Sequence, residues 1–257
     1  MTEDSVSKPR TIPAATLVIF RKAVAGGPAE LLMLERSGEM RFAGGAAVFP
    51  GGRIDPADHE LGARLAPHLE ADEAAARVAA LRETLEETGL ALMPGCRIDA
   101  AEAFEARALL LESGVLGTVL ERFDWAPDLD QLVLWARWCP NWEGAFDTRF
   151  YLADLGTGAV QVAVDATENA HLFWASAAEA LAMADRGEIR VIFPTRRNLE
   201  RLAQFETFAE ARVHAGEFPV TAIAPRRVER EGVKYLTIPE GLGYPVTAQR
   251  MDTVKRG

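Results

Sequence analysis

Arg82-Glu83-Thr84-Leu85-Glu86-Glu87-Thr88-Gly89-Leu90 is the stretch on which the fold turns. As a helix it carries Glu83, Glu86 and Glu87 at offsets 0, 3 and 4, on one face. Like charges so spaced repel by roughly 0.2–0.5 kcal/mol per exposed pair, so the helix gains nothing by collecting them. A divalent cation reverses the account, because hard oxygen ligands suit Mg²⁺ or Mn²⁺. A second anchor lies upstream, where an apolar strand runs through Phe49-Pro50 into the paired glycines Gly51-Gly52 and Arg53.

Working outward, Asp72 is placed to cap a helix from Glu73 to Thr88, with Gly89 as its stop. Ala76, Ala79, Ala80, Thr84 and Leu85 give that helix a small, close-packing face. Residues 53–72, with Pro56 and Pro67, read as a polar, Ala-rich connection. Before the glycines, 12–20 and Glu30 to Arg36 read as strands around a turn at Gly26-Gly27-Pro28, and Phe42 to Phe49 leads into another. After the acidic helix, 100–113 reads as a helix, Leu129 to Trp138 as an apolar segment and Phe146 to Leu155 as a strand. Short strands are expected at 160–164 and 170–174, and Ser176…Glu179 is a capping box for a helix to about Arg186. One long helix is expected over Arg197 to Ala215, then strands and turns over 219–249.

The chain has 257 residues, 49% of them hydrophobic, enough for one large domain or a domain with an addition. A formal charge of −10 argues against a constitutive nucleic-acid binder. Cys96 and Cys139 make neither a disulfide framework nor a zinc spacing. The polar residues 1–11 are unlike a secretory signal, and no apolar run reaches the roughly 18–20 residues of a membrane span. A cytoplasmic protein without membrane contact is the expectation. His59, His68, His171 and His214 share no ligand spacing.

With these residues in view, the chain resembles a Nudix hydrolase. The family's box is a Gly, five residues, a Glu, seven residues, then Arg-Glu-apolar-x-Glu-Glu-x-Gly-apolar. Here it starts at Gly52, meets Asp58 where the family has Glu, and resumes at Arg82, with Thr84 in the usual apolar position. The gap of seven becomes the 23 residues from His59 to Leu81, an insertion of 16 that a strict pattern search misses. A long insertion between anchored ends costs only modest loop entropy. The interrupted box is similar to that of the mammalian peroxisomal coenzyme A diphosphatases. So are Phe42 to Gly52, Trp138, Phe146-Asp147-Thr148-Arg149-Phe150 and Phe193-Pro194-Thr195-Arg196-Arg197-Asn198-Leu199. No peroxisomal signal stands at Lys255-Arg256-Gly257.

The resemblance implies an α+β fold, an α/β/α sandwich around a mixed sheet. Residues 12–218 would form the hydrolase domain, with the box insertion at 59–81 and a C-terminal extension at 219–257 packed on the same domain. The insertion could cover the cleft, contact another subunit of a homodimer or lengthen a surface loop. The implied chemistry is metal-dependent hydrolysis of a diphosphate in a small nucleoside diphosphate derivative. Coenzyme A or an acyl-CoA is favoured; ADP-ribose, NADH or a dinucleotide is the alternative, and a non-catalytic nucleotide sensor a third reading.

Glu83, Glu86 and Glu87, with the carbonyl of Gly52, would hold Mg²⁺ or Mn²⁺. Arg82 would orient Glu86. Asp58 would reach the site through water or stabilise the turn. Glu168 would join the metals or act as general base, a role for which Glu83 is the rival. Arg196 and Arg197, at a helix start, would grip a phosphate or pair with Glu200 or Glu206, and Arg149 is a third binding candidate. Trp135, Trp138, Trp142 and Trp174 either stack an adenine or pack in the core.

Overall fold

In a computed structural model, residues 9–36, 45–156 and 169–254 are described. Strand β1 (Ile12–Arg21) is the spine of the main sheet. Its run is apolar on both sides because both faces are covered: Ala15, Leu17 and Ile19 enter one core, Val18 and Phe20 the other. β2 (Glu30–Arg36) pairs with β1 antiparallel at Phe20↔Leu31 and Arg21↔Glu30. Elsewhere each takes a different partner. β3 (Ala47–Val48) lies on β2 at Leu34 and Glu35, and β4 (Gly51–Arg53) lies on β1 from Thr16 to Ala14. Gly51 allows this approach, since a Cβ there would collide with the Ala15 carbonyl oxygen.

The stretch 53–72 is not the expected connection. α1 (Pro56–Leu65) forms inside it, with proline at the helix start and a reciprocal capping box between Asp55 and Asp58. The chain then turns back into α2 (Ala71–Thr88), which begins after Glu70, so Asp72 lies within the helix and is not its cap. Gly62 packs directly on the Ala74–Ala75 backbone, where an added Cβ would sit 2.8 Å from Ala74 C and Ala75 N. The insertion is therefore a helical hairpin closed by small residues, not a surface loop. The expected packing face of α2 is fully buried from Ala76 to Leu85. Thr84 is tolerated there because its hydroxyl donates to the Ala80 carbonyl at 2.7 Å. Gly89 ends the helix in the left-handed conformation at φ 71°.

α3 (Ala100–Ser113) and α4 (Leu116–Phe123) cover the same core as α2 through Ala106, Leu110, Leu116 and Val119. β5 (Val133–Trp138) follows a short 3₁₀ turn and pairs antiparallel with β6 (Phe146–Asp154), which runs parallel to β1 from Ile12↔Phe146 to Phe20↔Asp154. β7 (Asn169–Ser176) pairs antiparallel with β2; the strand expected at 160–164 lies outside the described residues.

The opposite face carries α5 (Ala177–Arg186), α6 (Phe193–Leu202) and α7 (Phe208–Glu217). The single helix expected over 197–215 is thus two. Thr207 and Glu210 form a capping box that starts a new helix, and their side chains satisfy backbone amides that would otherwise continue the old one.

β8 (Ala222–Ile223) adds to β5 in parallel, and β9 (Arg226–Arg230), β10 (Val233–Thr237) and β11 (Ala248–Arg250) form a separate antiparallel sheet. Residues beyond 218 reach the core through Ile238 and Tyr244. The Tyr244 hydroxyl donates to Asn198 Oδ1 at 2.9 Å and accepts from Trp138 Nε1 at 3.2 Å. The architecture is the expected α+β sandwich around a mixed sheet.

Candidate active site

The site forms where the last two turns of α2 cross β4. The Glu83 carboxylate lies directly against Gly52: a Cβ there would collide with its carboxyl carbon and both oxygens. A side chain at position 52 would displace the Glu83 carboxylate from this seat. One residue earlier, the Gly51 amide donates to Glu87 Oε2 at 2.9 Å. Two of the three acids therefore engage the paired glycines although the insertion separates them in sequence.

Arg82 organises the remaining charges. Its Nε and NH2 donate to both oxygens of Asp58 at 3.0 and 2.9 Å, a bidentate fork. NH2 also donates to the Arg53 carbonyl at 2.8 Å, and NH1 donates to Glu83 at 2.9 Å and to Glu86 at 3.2 Å. Arg82 was expected to orient Glu86; the structure gives its bidentate contact to Asp58 and leaves Glu86 one bond. Asp58 is 2% exposed and also accepts the Asp55 amide at 2.8 Å. Of its two open readings, the structure supports the turn. It starts α1 and holds Arg82, so the insertion's first helix is tied directly to the acidic one.

Burial pushes the Glu83 carboxyl up to about 7, with Arg82 pulling it down and Glu86 adding to the rise. Glu86 is raised as well, first by burial, against Arg82. Arg82 itself is held more firmly protonated than usual, because its acidic neighbours outweigh the cost of its burial.

Two desolvated carboxyls sharing one guanidinium nitrogen, one of them lying against Gly52, are oxygen donors of the kind that suits a hard divalent cation. Closure around a single point is another matter. Among the described residues no three His, Cys, Asp or Glu side chains gather so as to hold a metal ion. Glu86 is engaged by Arg82 and Glu87 by the Gly51 amide. Glu83 thus lies against Gly52, while the three carboxylates form no metal-holding cluster among the described residues.

The other sequence candidates lie elsewhere. Glu168 falls outside the described residues. Arg149, on β6 and opposite Ala15, binds Glu73 at 3.3 Å under the first turn of α2. Arg196 pairs with Asp185 at 2.8 Å and Glu200 at 3.2 Å, and Arg197 with Glu200 at 2.7 Å. Both belong to α6, across the sheet from α2. Pairing with Glu200 was one of the two readings open for them, and both make that pair at helical spacing. Trp135 and Trp138 are buried in the core rather than open to a base, and Trp142 is exposed. Among the described residues no helix is long and apolar enough to cross a membrane.

No family model matches the chain. Among solved structures, a NUDIX hydrolase from Alicyclobacillus acidocaldarius is 30% identical with a TM-score of 0.69, and the match covers 80% of this chain and 97% of that one. An acyl-coenzyme A diphosphatase of Gallus gallus is 29% identical over 69% of this chain. The chain spans 62% of that relative's length.

Proposed function

The chain belongs to the Nudix hydrolases, and from that premise we propose that it hydrolyses the diphosphate of coenzyme A or an acyl-CoA with Mg²⁺ or Mn²⁺. The observation that carries the hydrolytic reading is the seating of Glu83 on Gly52 across the insertion, which supports reading the two separated stretches as one box. The substrate rests on the likeness to an acyl-coenzyme A diphosphatase and is the finer part of the proposal.

Glu83, Glu86, Glu87 and the Gly52 carbonyl would hold the cation, which neutralises phosphate charge and acidifies water when bound. Arg82 fixes the acids through its contacts with Asp58 and the Arg53 carbonyl. Water attacks one phosphorus, the bond from that phosphorus to the bridging oxygen breaks, and the water's proton passes to a carboxylate. Glu83 and Glu168 are the candidates for that carboxylate, and E168Q compared with E83Q decides between them. From coenzyme A the products are 3′,5′-ADP and 4′-phosphopantetheine.

The test is a product-resolved assay of coenzyme A, an acyl-CoA, NADH and ADP-ribose with Mn²⁺ or Mg²⁺. Release of 3′,5′-ADP supports the proposal. Preferential AMP from NADH or ADP-ribose moves the substrate to the alternative class. Binding without turnover of any of them rejects the enzyme in favour of a nucleotide sensor.

A further inference from the structure

We infer that Arg107 on α3 is a positioning residue for the acidic cluster, locking the peptide that joins Glu86 to Glu87. This rests on the metal-dependent reading above.

The need arises at the end of α2. In a continuing helix the Leu90 amide would donate to the Glu86 carbonyl. The chain instead turns at Gly89, and the Leu90 amide donates to the Thr88 hydroxyl at 3.1 Å. Arg107 takes the carbonyl with two donors, Nε at 3.0 Å and NH2 at 2.8 Å. The last turn of α2 contains no basic residue, although Glu86 and Glu87 sit there at the negative pole of the helix dipole. A cation delivered by another element opposes that pole at the peptide where these acids diverge.

The donor is itself well held. Asp99 caps α3 by accepting the Ala101 and Glu102 amides, each at 2.9 Å. Ala106 and Leu110 are fully buried in the core that also contains Leu81 and Leu85 of α2. Arg107 lies between those anchors, so the guanidinium is delivered from a helix packed on the one it serves. Loosening it frees the Glu86–Glu87 peptide, and both carboxylates lose their fixed direction toward Arg82 and Gly51.

Mn²⁺ affinity, measured by titration calorimetry without substrate, tests this on the full chain. Arg107→Gln is expected to weaken binding by about tenfold, at the lower edge of the effect of removing an orienting partner. Arg107→Lys keeps the charge but not the fork and is expected to recover less than half of the lost affinity. Affinity within twofold of wild type in Arg107→Gln, or complete recovery in Arg107→Lys, overturns the lock. Glu86→Gln separates the two ideas. If it abolishes Mn²⁺ binding while Arg107→Gln does not weaken it, only this inference falls. If the wild-type chain binds no Mn²⁺, the metal-dependent reading falls and takes this one with it.

Discussion

Arg82 and Arg197 are both buried, at 4% and 2% exposure, yet opposite faces of the sheet hold them in opposite ways. On the α2 face, every nitrogen of the Arg82 guanidinium has an acceptor, and Asp58, Glu83 and Glu86 strengthen its charge. On the α6 face, Arg197 uses NH2 for Glu200 and Gln249, while Nε and NH1 have no partner among the described residues. Burial there makes the guanidinium easier to deprotonate, with Glu200 opposing and Arg196 adding to the effect. Its neighbour Arg201 lies 3.7 Å over the Trp135 ring, held by that aromatic face, the Trp135 carbonyl and the His214 imidazole rather than by a carboxylate. Burial of a cation is therefore no guide to its role. What distinguishes the two faces is whether acids have been gathered around it.

The comparison is broken most directly through the acids themselves. Glu86→Gln and Glu87→Gln are each expected to lower turnover by roughly 100-fold or more, at about 1.4 kcal/mol per tenfold, with the fold intact. Near-normal rates would remove these residues from the site. Arg82→Met is expected to destabilise the protein by about 3–5 kcal/mol, because it leaves the buried Asp58 carboxylate without its countercharge. Denaturant unfolding measures this, and a loss below about 1 kcal/mol would make Arg82 no different from Arg197.

The α6 face gives smaller effects. His214 Nε2 lies 3.3 Å from Arg201 Nε, and since arginine can only donate, the imidazole must accept and be neutral. Burial lowers its pKa, Arg201 lowers it further and Glu217 pulls it back. A base whose folded pKa lies below its unfolded value, about 6.5, contributes stability above that pH. The contribution is lost as pH falls through the folded pKa. Thermal unfolding from pH 7.5 to 5 should therefore decline more steeply in the wild type than in His214→Gln; parallel curves would contradict the assignment. Smallest of all, Arg197→Met is expected to change stability by less than about 1 kcal/mol, since Glu200 keeps Arg196 and two unpartnered donors disappear. A large loss would show that the α6 arginine is as firmly required as Arg82.

Much of this was legible in the chain itself. Periodicity, capping residues and glycine stops located β1, β2, α3, β6 and α5 and the C-terminal end of α2, because such signals act between residues a few positions apart. The alanine face of α2 was legible for the same reason. The acids of Arg82–Leu90 and the glycines of β4 could be matched across an insertion because each half keeps its own local conformation. Not every local feature was read: the capping box and N-terminal proline of α1 went unrecognised, and a capping box at Thr207 overrode a continuous helical pattern between α6 and α7.

Tertiary structure decided the partners. Nothing in the local pattern marks Asp58 as the anchor of Arg82, 24 positions away, or Arg107 as the ligand of a carbonyl 21 positions before it. Nor does it mark Glu73 as the acid that engages Arg149. A long charged side chain can reach several acids, and which one it meets depends on how helices and sheet pack, where burial sharply raises the cost of leaving a charge unmatched. Sequence determined that three carboxylates share a helical face and that glycines stand where they must be approached. Only the packing of α1 and α3 on α2, and of α2 on β4, decided which cations hold those carboxylates in place.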